Sequence, residues 1–266
     1  MPIAISAINI YPVKSLGGIS VASANLGYAG LDYDRTWMVV KPDGQFITQR
    51  THPQMALVHA DIAQGQLILN SFGMESHRVP VADTAMNRLH SEVWGDKVHA
   101  LDTGDASAEW LSQALGEECR LVAFPSNEIR SCDPQRSKSS DHTRFADGFP
   151  LLILSEASLT DLNNRLDMPV GMERFRPNIV VEGCPAFAED DWRRIEINGL
   201  PLRIVDACAR CSVPTVDPAT GALTGPEPIH TLSTYRERDG EVFFGVNAAP
   251  DREGLVSIGD SVNLID

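Results

Sequence analysis

Cys208 and Cys211 lie three residues apart with Arg210 between them. A neighbouring guanidinium lowers a thiol's pKa, and the thiolate is the form that ligates metals or attacks electrophiles. Soft sulfur suits zinc, copper or iron–sulfur clusters, and molybdenum is similarly thiophilic. A structural zinc site needs four ligands, and the sequence offers neither a second Cys-x-x-Cys nor a His-x₃₋₅-His pair after the first. A redox dithiol belongs at a helix N-terminus in a βαβ unit. Here a hairpin precedes the thiols and a proline-containing loop follows. Two inert cysteines are the remaining reading, since free cysteine is often buried.

Other residues of chemical interest lie far away in sequence. Tyr11-Pro12-Val13-Lys14-Ser15 sets a cation and a hydroxyl just after a strand, beside Gly17-Gly18. That group could hold a phosphate, although the spacing is not that of a P-loop, and a solvated turn lysine fits equally. Arg35 follows Asp34 at a strand start, where a surface ion pair is the plain alternative. In Arg174-Phe175-Arg176-Pro177-Asn178, an extended chain would point Arg176 and Asn178 the same way. A guanidinium suits phosphate and an amide suits a pterin edge; a loop arginine beside a turn asparagine is the alternative. His52, His59 and His142 lack ligand spacing.

The elements that position these residues are mostly strands. Apolar or alternating runs at 3–11, 19–26, 35–41, 45–50, 55–63 and 66–70 read as short strands. Asp43-Gly44 predicts a hairpin turn. A helix is expected over 107–116, ending near Gly116. Residues 125–147 are polar and read as a long loop and a domain boundary. Pro150–Leu154 reads as a buried strand, and Ser155 as the cap of a helix over about 156–166. Asn198-Gly199, between the runs 194–197 and 200–205, predicts a two-residue hairpin turn. Further strands are expected at 241–247 and 254–265. The fold class is mainly β with a few helices, built as a β-barrel domain over 125–266. An α+β companion domain covers 1–124, and its first strands are able to join the barrel.

Composition narrows the function. The 266 residues carry 22 basic and 36 acidic side chains, a formal net charge of −14. Such a balance disfavours nucleic acid and anionic membranes, yet leaves room for a local basic pocket. Five cysteines at irregular spacing do not form a disulfide framework. No secretory signal or membrane-spanning run is visible, so a cytoplasmic protein is expected.

Seven motifs occur in one order: Tyr-Pro-Val-Lys-Ser (11–15), Asp-Arg-x-Trp (34–37), Phe-x-Asp-x-x-Pro (145–150) and Leu-Ser-Glu-Ala-Ser-Leu (154–159), then Phe-Arg-Pro-Asn-Ile (175–179), Cys-x-Arg-Cys…Thr-Val-Asp-Pro-x-Thr-Gly (208–221) and Phe-Gly-Val-Asn (244–247). Together they resemble the MOSC-domain family with its N-terminal β-barrel companion, in particular the mitochondrial amidoxime-reducing components and their bacterial counterparts. The resemblance spans about residues 3–265. It implies a molybdenum–pyranopterin cofactor with Cys211 as the metal ligand. Lys14, Ser15, Arg35, Asp147, Arg176, Asn178 and Arg210 would hold the cofactor. Asn247 would line the catalytic site, with Arg50 a further candidate, while Cys208 is not a ligand. The implied reaction is oxygen-atom removal at molybdenum from N-hydroxylated compounds such as amidoximes, hydroxylamines and N-hydroxylated bases. Position 209 is Ala where relatives often have Ser. The sequence lacks an iron–sulfur cysteine cluster and the membrane anchor of the mitochondrial forms, so a separate donor, a ferredoxin or flavin reductase, is expected. A sulfur carrier or cofactor-handling protein using a Cys211 persulfide is the second reading, although no pyridoxal-phosphate domain accompanies it. A non-catalytic β-rich module is the third.

Overall fold

The computed structural model describes residues 2–265 apart from 81 and 83–85. The described residues are mainly β, with three α-helices. Its largest sheet draws on both ends of the sequence. The order is Ile19–Val21, Ala4–Ile10, Ile179–Glu182, Leu151–Ser155, Glu241–Pro250, Leu200–Ala209, Arg194–Ile197 and Val262–Leu264, with Glu237–Arg238 beside Glu241–Pro250. Most neighbours are antiparallel; Leu151–Ser155 and Ile179–Glu182 run parallel.

The sheet curls until its ends meet. Ala4 bridges Ser261, and the Ile5 and Val262 amides donate to Asp260 and Ile3 at 3.0 and 2.8 Å. Curling turns one face of most strands inward, which explains an interior of Ile5, Ile8, Ile153, Ile179, Ile195 and Val246. A second core forms in the N-terminal half. There Trp37–Val40, Arg120–Ala123, Asp96–Asp102 and Arg88–Val93 make a four-stranded sheet. Leu111 and Leu115 of the helix Asp105–Leu115 pack into that core.

Local chemistry sets the boundaries. The helix Asp105–Leu115 ends on Gly116 in the left-handed conformation. Ser155 caps the helix Glu156–Asn163, its hydroxyl accepting from the Ser158 amide. The Asn198-Gly199 turn has φ of 48° and 76° and joins Arg194–Ile197 to Leu200–Ala209.

Several expectations need correction. The run 19–26 is two strands, because the chain changes sheets after Val21: Ile19–Val21 pairs with Ala4–Ile10, whereas Ser23–Gly27 pairs with Gly254–Ser257. Residues 45–50 are not a strand. Phe46 makes a single bridge to Val40 across the Asp43-Gly44 turn, and the chain then turns at Thr48, whose carbonyl accepts from Thr51 and His52. The run 55–63 divides into a 3₁₀ turn Pro53–Leu57 and the strand His59–Ala63. Within 125–147, only Arg130–Ser131 and His142–Thr143 pair as strands.

Candidate functional site

A cavity of about 890 Å³, counted out to solvent at its mouth, is lined by Lys14, Ser15, Arg35, Arg50, Asp147, Arg176, Asn178, Arg210, Cys211 and Asn247, together with Cys208. These residues come from both halves of the sequence, because the strand Ala4–Ile10 lies next to Ile179–Glu182. Lys14 and Ser15 leave that strand in a turn tied by the Lys14 amide to the Trp37 carbonyl at 2.8 Å, and the Arg35 amide donates to Tyr11 at 2.8 Å.

Cys208 and Cys211 are delivered by the end of Leu200–Ala209. That strand slips register against Glu241–Pro250 twice, between Ile204 and Asp206 and between Ala207 and Ala209. Bulges of this kind re-aim side chains beside sites. On the partner strand, Gly245 has φ of +80°, and a Cβ there would lie 2.9 Å from the Ile153 carbonyl oxygen. Only glycine lets these strands approach so closely two residues before Asn247.

Three lining residues that are not glycine hold left-handed backbone: Ser15 at φ 67°, Arg35 at 44° and Arg176 at 57°. Each such conformation costs on the order of 1 kcal/mol and persists only where its surroundings enforce it. Arg176 is therefore not extended, and its place beside Asn178 comes from a turn after the 3₁₀ segment Met172–Arg174. Asn178, 2% exposed, is fully engaged by protein. Its Oδ1 accepts from the Leu152 amide at 3.2 Å and from Arg35 Nη1 at 3.1 Å, and its Nδ2 donates to the Asn9 carbonyl. The amide thus fixes Arg35, whose Nη1 also donates to Asp34 at 2.6 Å.

The guanidiniums of Arg35 and Arg176 lie 4.4 and 4.2 Å from the Tyr11 ring. Burial lowers the pKa of Arg176 to about 10, and repulsion from Arg35 adds to the shift. Arg176 Nη1 donates to the Leu16 carbonyl at 2.7 Å, but its buried Nη2 has no partner, and neither has Nε of Arg210. Arg210 Nη2 donates to the Phe175 carbonyl at 2.8 Å. Its Nη1 donates to Cys208 Sγ at 3.1 Å, so among the hydrogen bonds here the arginine serves Cys208, not Cys211. Burial nevertheless pushes the Cys208 thiol up, against the pull of Arg210. Cys211 Sγ accepts from the Val213 amide at 3.5 Å.

Lys14 is 5% exposed. Burial lowers its pKa even though it forms an ion pair with Asp147. Crowding by the cavity walls pushes the Asp147 carboxyl up, but the Lys14 ammonium, the Trp94 indole and Arg50 outweigh it and hold the group well below the usual carboxylate range. The Asp147 side chain is 64% exposed. It projects into a concave mouth, open to solvent in front and surrounded by protein behind. Trp94, which the sequence reading passed over, donates its indole N–H to Asp147 Oδ1 at 3.0 Å. The one signal in the sequence was a Trp-Gly pair between two alternating runs.

A lining of five cations and one carboxylate, in a protein of net charge −14, defines a receptor for a bulky anion. Among the described residues no cluster of three or more His, Cys, Asp or Glu side chains could hold a bare metal ion. The unpartnered N–H groups of Arg176 and Arg210 are suited to an anionic group in this cavity.

Residues 3–118 match the MOSC N-terminal beta barrel domain and residues 140–263 the MOSC domain. The chain belongs to the MOSC-domain family of the mitochondrial amidoxime-reducing components. It is 37% identical over 275 residues to mitochondrial amidoxime reducing component 2 of Bos taurus, across 97% of this chain and 82% of that protein. With mitochondrial amidoxime-reducing component 1 of Homo sapiens it shares 35% over 275 residues, 96% of this chain and 81% of that one. Among the described residues no helix is long and apolar enough to cross a membrane.

Proposed function

We propose that this protein is a molybdenum-cofactor-dependent reductase of N-hydroxylated compounds: amidoximes, hydroxylamines and N-hydroxylated bases. The observation that carries the reading is a thiol, Cys211, sharing one cavity with buried guanidinium N–H groups that have no acceptor in the protein. The amidoxime-reducing names of its relatives support the substrate class.

When bound, the molybdenum–pyranopterin supplies a two-electron metal centre able to take up an oxygen atom. Cys211 would hold the metal as a thiolate. Lys14, Arg35, Arg176 and Arg210 would offset the negative charge of the phosphate and dithiolene groups, which a low-dielectric cavity makes effective. Ser15 offers a hydroxyl donor. Asn178 keeps Arg35 at its angle, and Tyr11 backs both Arg35 and Arg176. Asp147, ionised at neutral pH, aligns Lys14 and accepts from N–H groups of pterin or substrate. Asn247 offers an amide to the reacting N–O group. A separate protein, a ferredoxin or flavin reductase, supplies electrons in the cytoplasm.

The test is metal analysis and turnover. Protein from a cofactor-producing host should carry near-stoichiometric molybdenum, release fluorescent pterin and convert benzamidoxime to benzamidine with an artificial electron donor. Absence of turnover by molybdenum-loaded protein across a panel of N-hydroxylated compounds sinks the reductase reading. A persulfide on Cys211 without molybdenum would replace it with sulfur transfer.

A further inference from the structure

Four hairpins in the described residues turn through two residues that are both left-handed. Their central pairs are Gln64-Gly65, Trp94-Gly95, Asn198-Gly199 and Asp239-Gly240, with first-residue φ of 54°, 52°, 48° and 52°. Asn, Asp and Gly are the residues that tolerate this position, and a bulky side chain is disfavoured there. Gln64 and Trp94 both depart from that preference, and Trp94 is by far the bulkier; it is also 50% exposed, so burial in a core does not explain it. Its contacts point elsewhere. The indole N–H donates to Asp147, 53 residues away, at 3.0 Å. The Arg50 guanidinium lies 4.4 Å from its ring centroid, and Arg50 Nη2 is 3.7 Å from Asp147 Oδ2. Phe46 packs against the indole at 5.1 Å, nearly perpendicular, and lies 5.7 Å from Lys14 Nζ.

We propose that Trp94 is a positioning residue, which the hairpin tip carries to the mouth of the cavity so that its N–H and π face fix Asp147 and Arg50 for the incoming substrate. The proposal rests on the reductase reading for the identity of that substrate, a planar N-hydroxylated amidine. Such a molecule presents N–H donors to Asp147 and an N–O oxygen to Arg50. Without the indole, both side chains keep their charge but lose their fixed directions. Charged hydrogen bonds depend on those directions for their strength.

Trp94→Asn tests this, because asparagine is preferred at the first central position of such a turn and the hairpin should fold. Thermal midpoint, molybdenum content, steady-state kinetics and benzamidoxime binding to the oxidised protein are compared with wild type. The expected result is a thermal midpoint within a few degrees and unchanged molybdenum, with KM and Kd for benzamidoxime raised about tenfold, the size of one charge-assisted hydrogen bond, and kcat nearly intact. Trp94→Phe keeps the ring and should show a smaller rise. Arg50→Ala should add little in the Trp94→Asn background, since the two act as one unit. A lowered midpoint with unchanged KM and Kd would make Trp94 structural only, and loss of molybdenum would make it a cofactor support; either overturns the proposal. If the wild type reduces nothing, the reductase reading fails by itself and the Kd comparison still decides Trp94. An equal Kd in both proteins, or no binding to either, sinks it.

Discussion

Arg176 and Arg210, on one wall of the cavity, each keep a buried N–H group with no acceptor. At the opposite extreme of exposure, Asp147 is met by two cations, Lys14 and Arg50, and by the neutral indole N–H of Trp94. Burying a donor without a partner is costly, so the wall favours a ligand that brings oxygen atoms, whereas at the mouth Asp147 already pairs with both cations. The wall is thus built for something that stays, and the mouth for something that comes and goes.

The largest effect expected is at the sulfur. Cys211→Ser should reduce molybdenum retention and turnover by at least about a hundredfold, as loss of a metal's protein ligand does. Normal metal content in that variant would place the ligand elsewhere. Arg176→Met comes next, with cofactor loading down by about ten- to a hundredfold, in line with charged hydrogen bonds. The cofactor-free protein should keep its thermal midpoint within a few degrees, because a charge that the fold holds at a disadvantage is removed. The same site gives a pH signature. The pKa of Arg176, about 10 in the fold, lies below its ordinary value of 12.5. Above pH 10 the unfolded chain binds the extra proton, so this arginine's contribution to stability rises with pH, while retention of an anionic cofactor falls as the guanidinium discharges. Retention that stays flat through pH 10 would remove Arg176 from the binding set.

Asp147→Asn should raise KM several-fold, with molybdenum content reduced far less than in Arg176→Met. Its carboxyl is depressed in the fold, so its stabilising effect is present above the ordinary value near 4 and is lost as pH falls through the lower folded value. The difference in thermal midpoint between wild type and Asp147→Asn should accordingly shrink below about pH 4. Smallest is Cys208→Ser, expected to hold molybdenum and to turn over within about threefold of wild type, since a hydroxyl can likewise accept from Arg210 and donate to the Ala209 carbonyl. A loss comparable to that of Cys211→Ser would erase the distinction between the two thiols.

Where local rules decide, the sequence was readable. Asn198-Gly199, the Ser155 cap and the Gly116 stop each have a short-range cause. The cavity residues were readable as an ordered set of motifs, and the fold brings all of them to one hollow. What escaped has long-range causes. Alternation in 19–26 does not record that the chain changes sheets at Ala22. The strand pattern of 45–50 is overridden by the turn that carries Gln49 to the Ser15 carbonyl and Arg50 to the mouth. The condition under which Arg176 and Asn178 would point the same way, an extended chain, is not met, because Arg176 sits in a left-handed turn whose amide donates to the Glu173 carbonyl. Trp94 drew no notice, because its partner Asp147 is remote in sequence.

The pairing of Ala4 with Glu182 has a consequence for how the protein is made. During synthesis from the N-terminus, at roughly 5–20 residues per second, the first strand leaves the ribosome on the order of ten seconds or more before its neighbour exists. Its unpaired backbone edge stays exposed throughout that wait. Vectorial folding therefore cannot close the barrel early, and the two groups of cavity-lining residues come together late in translation.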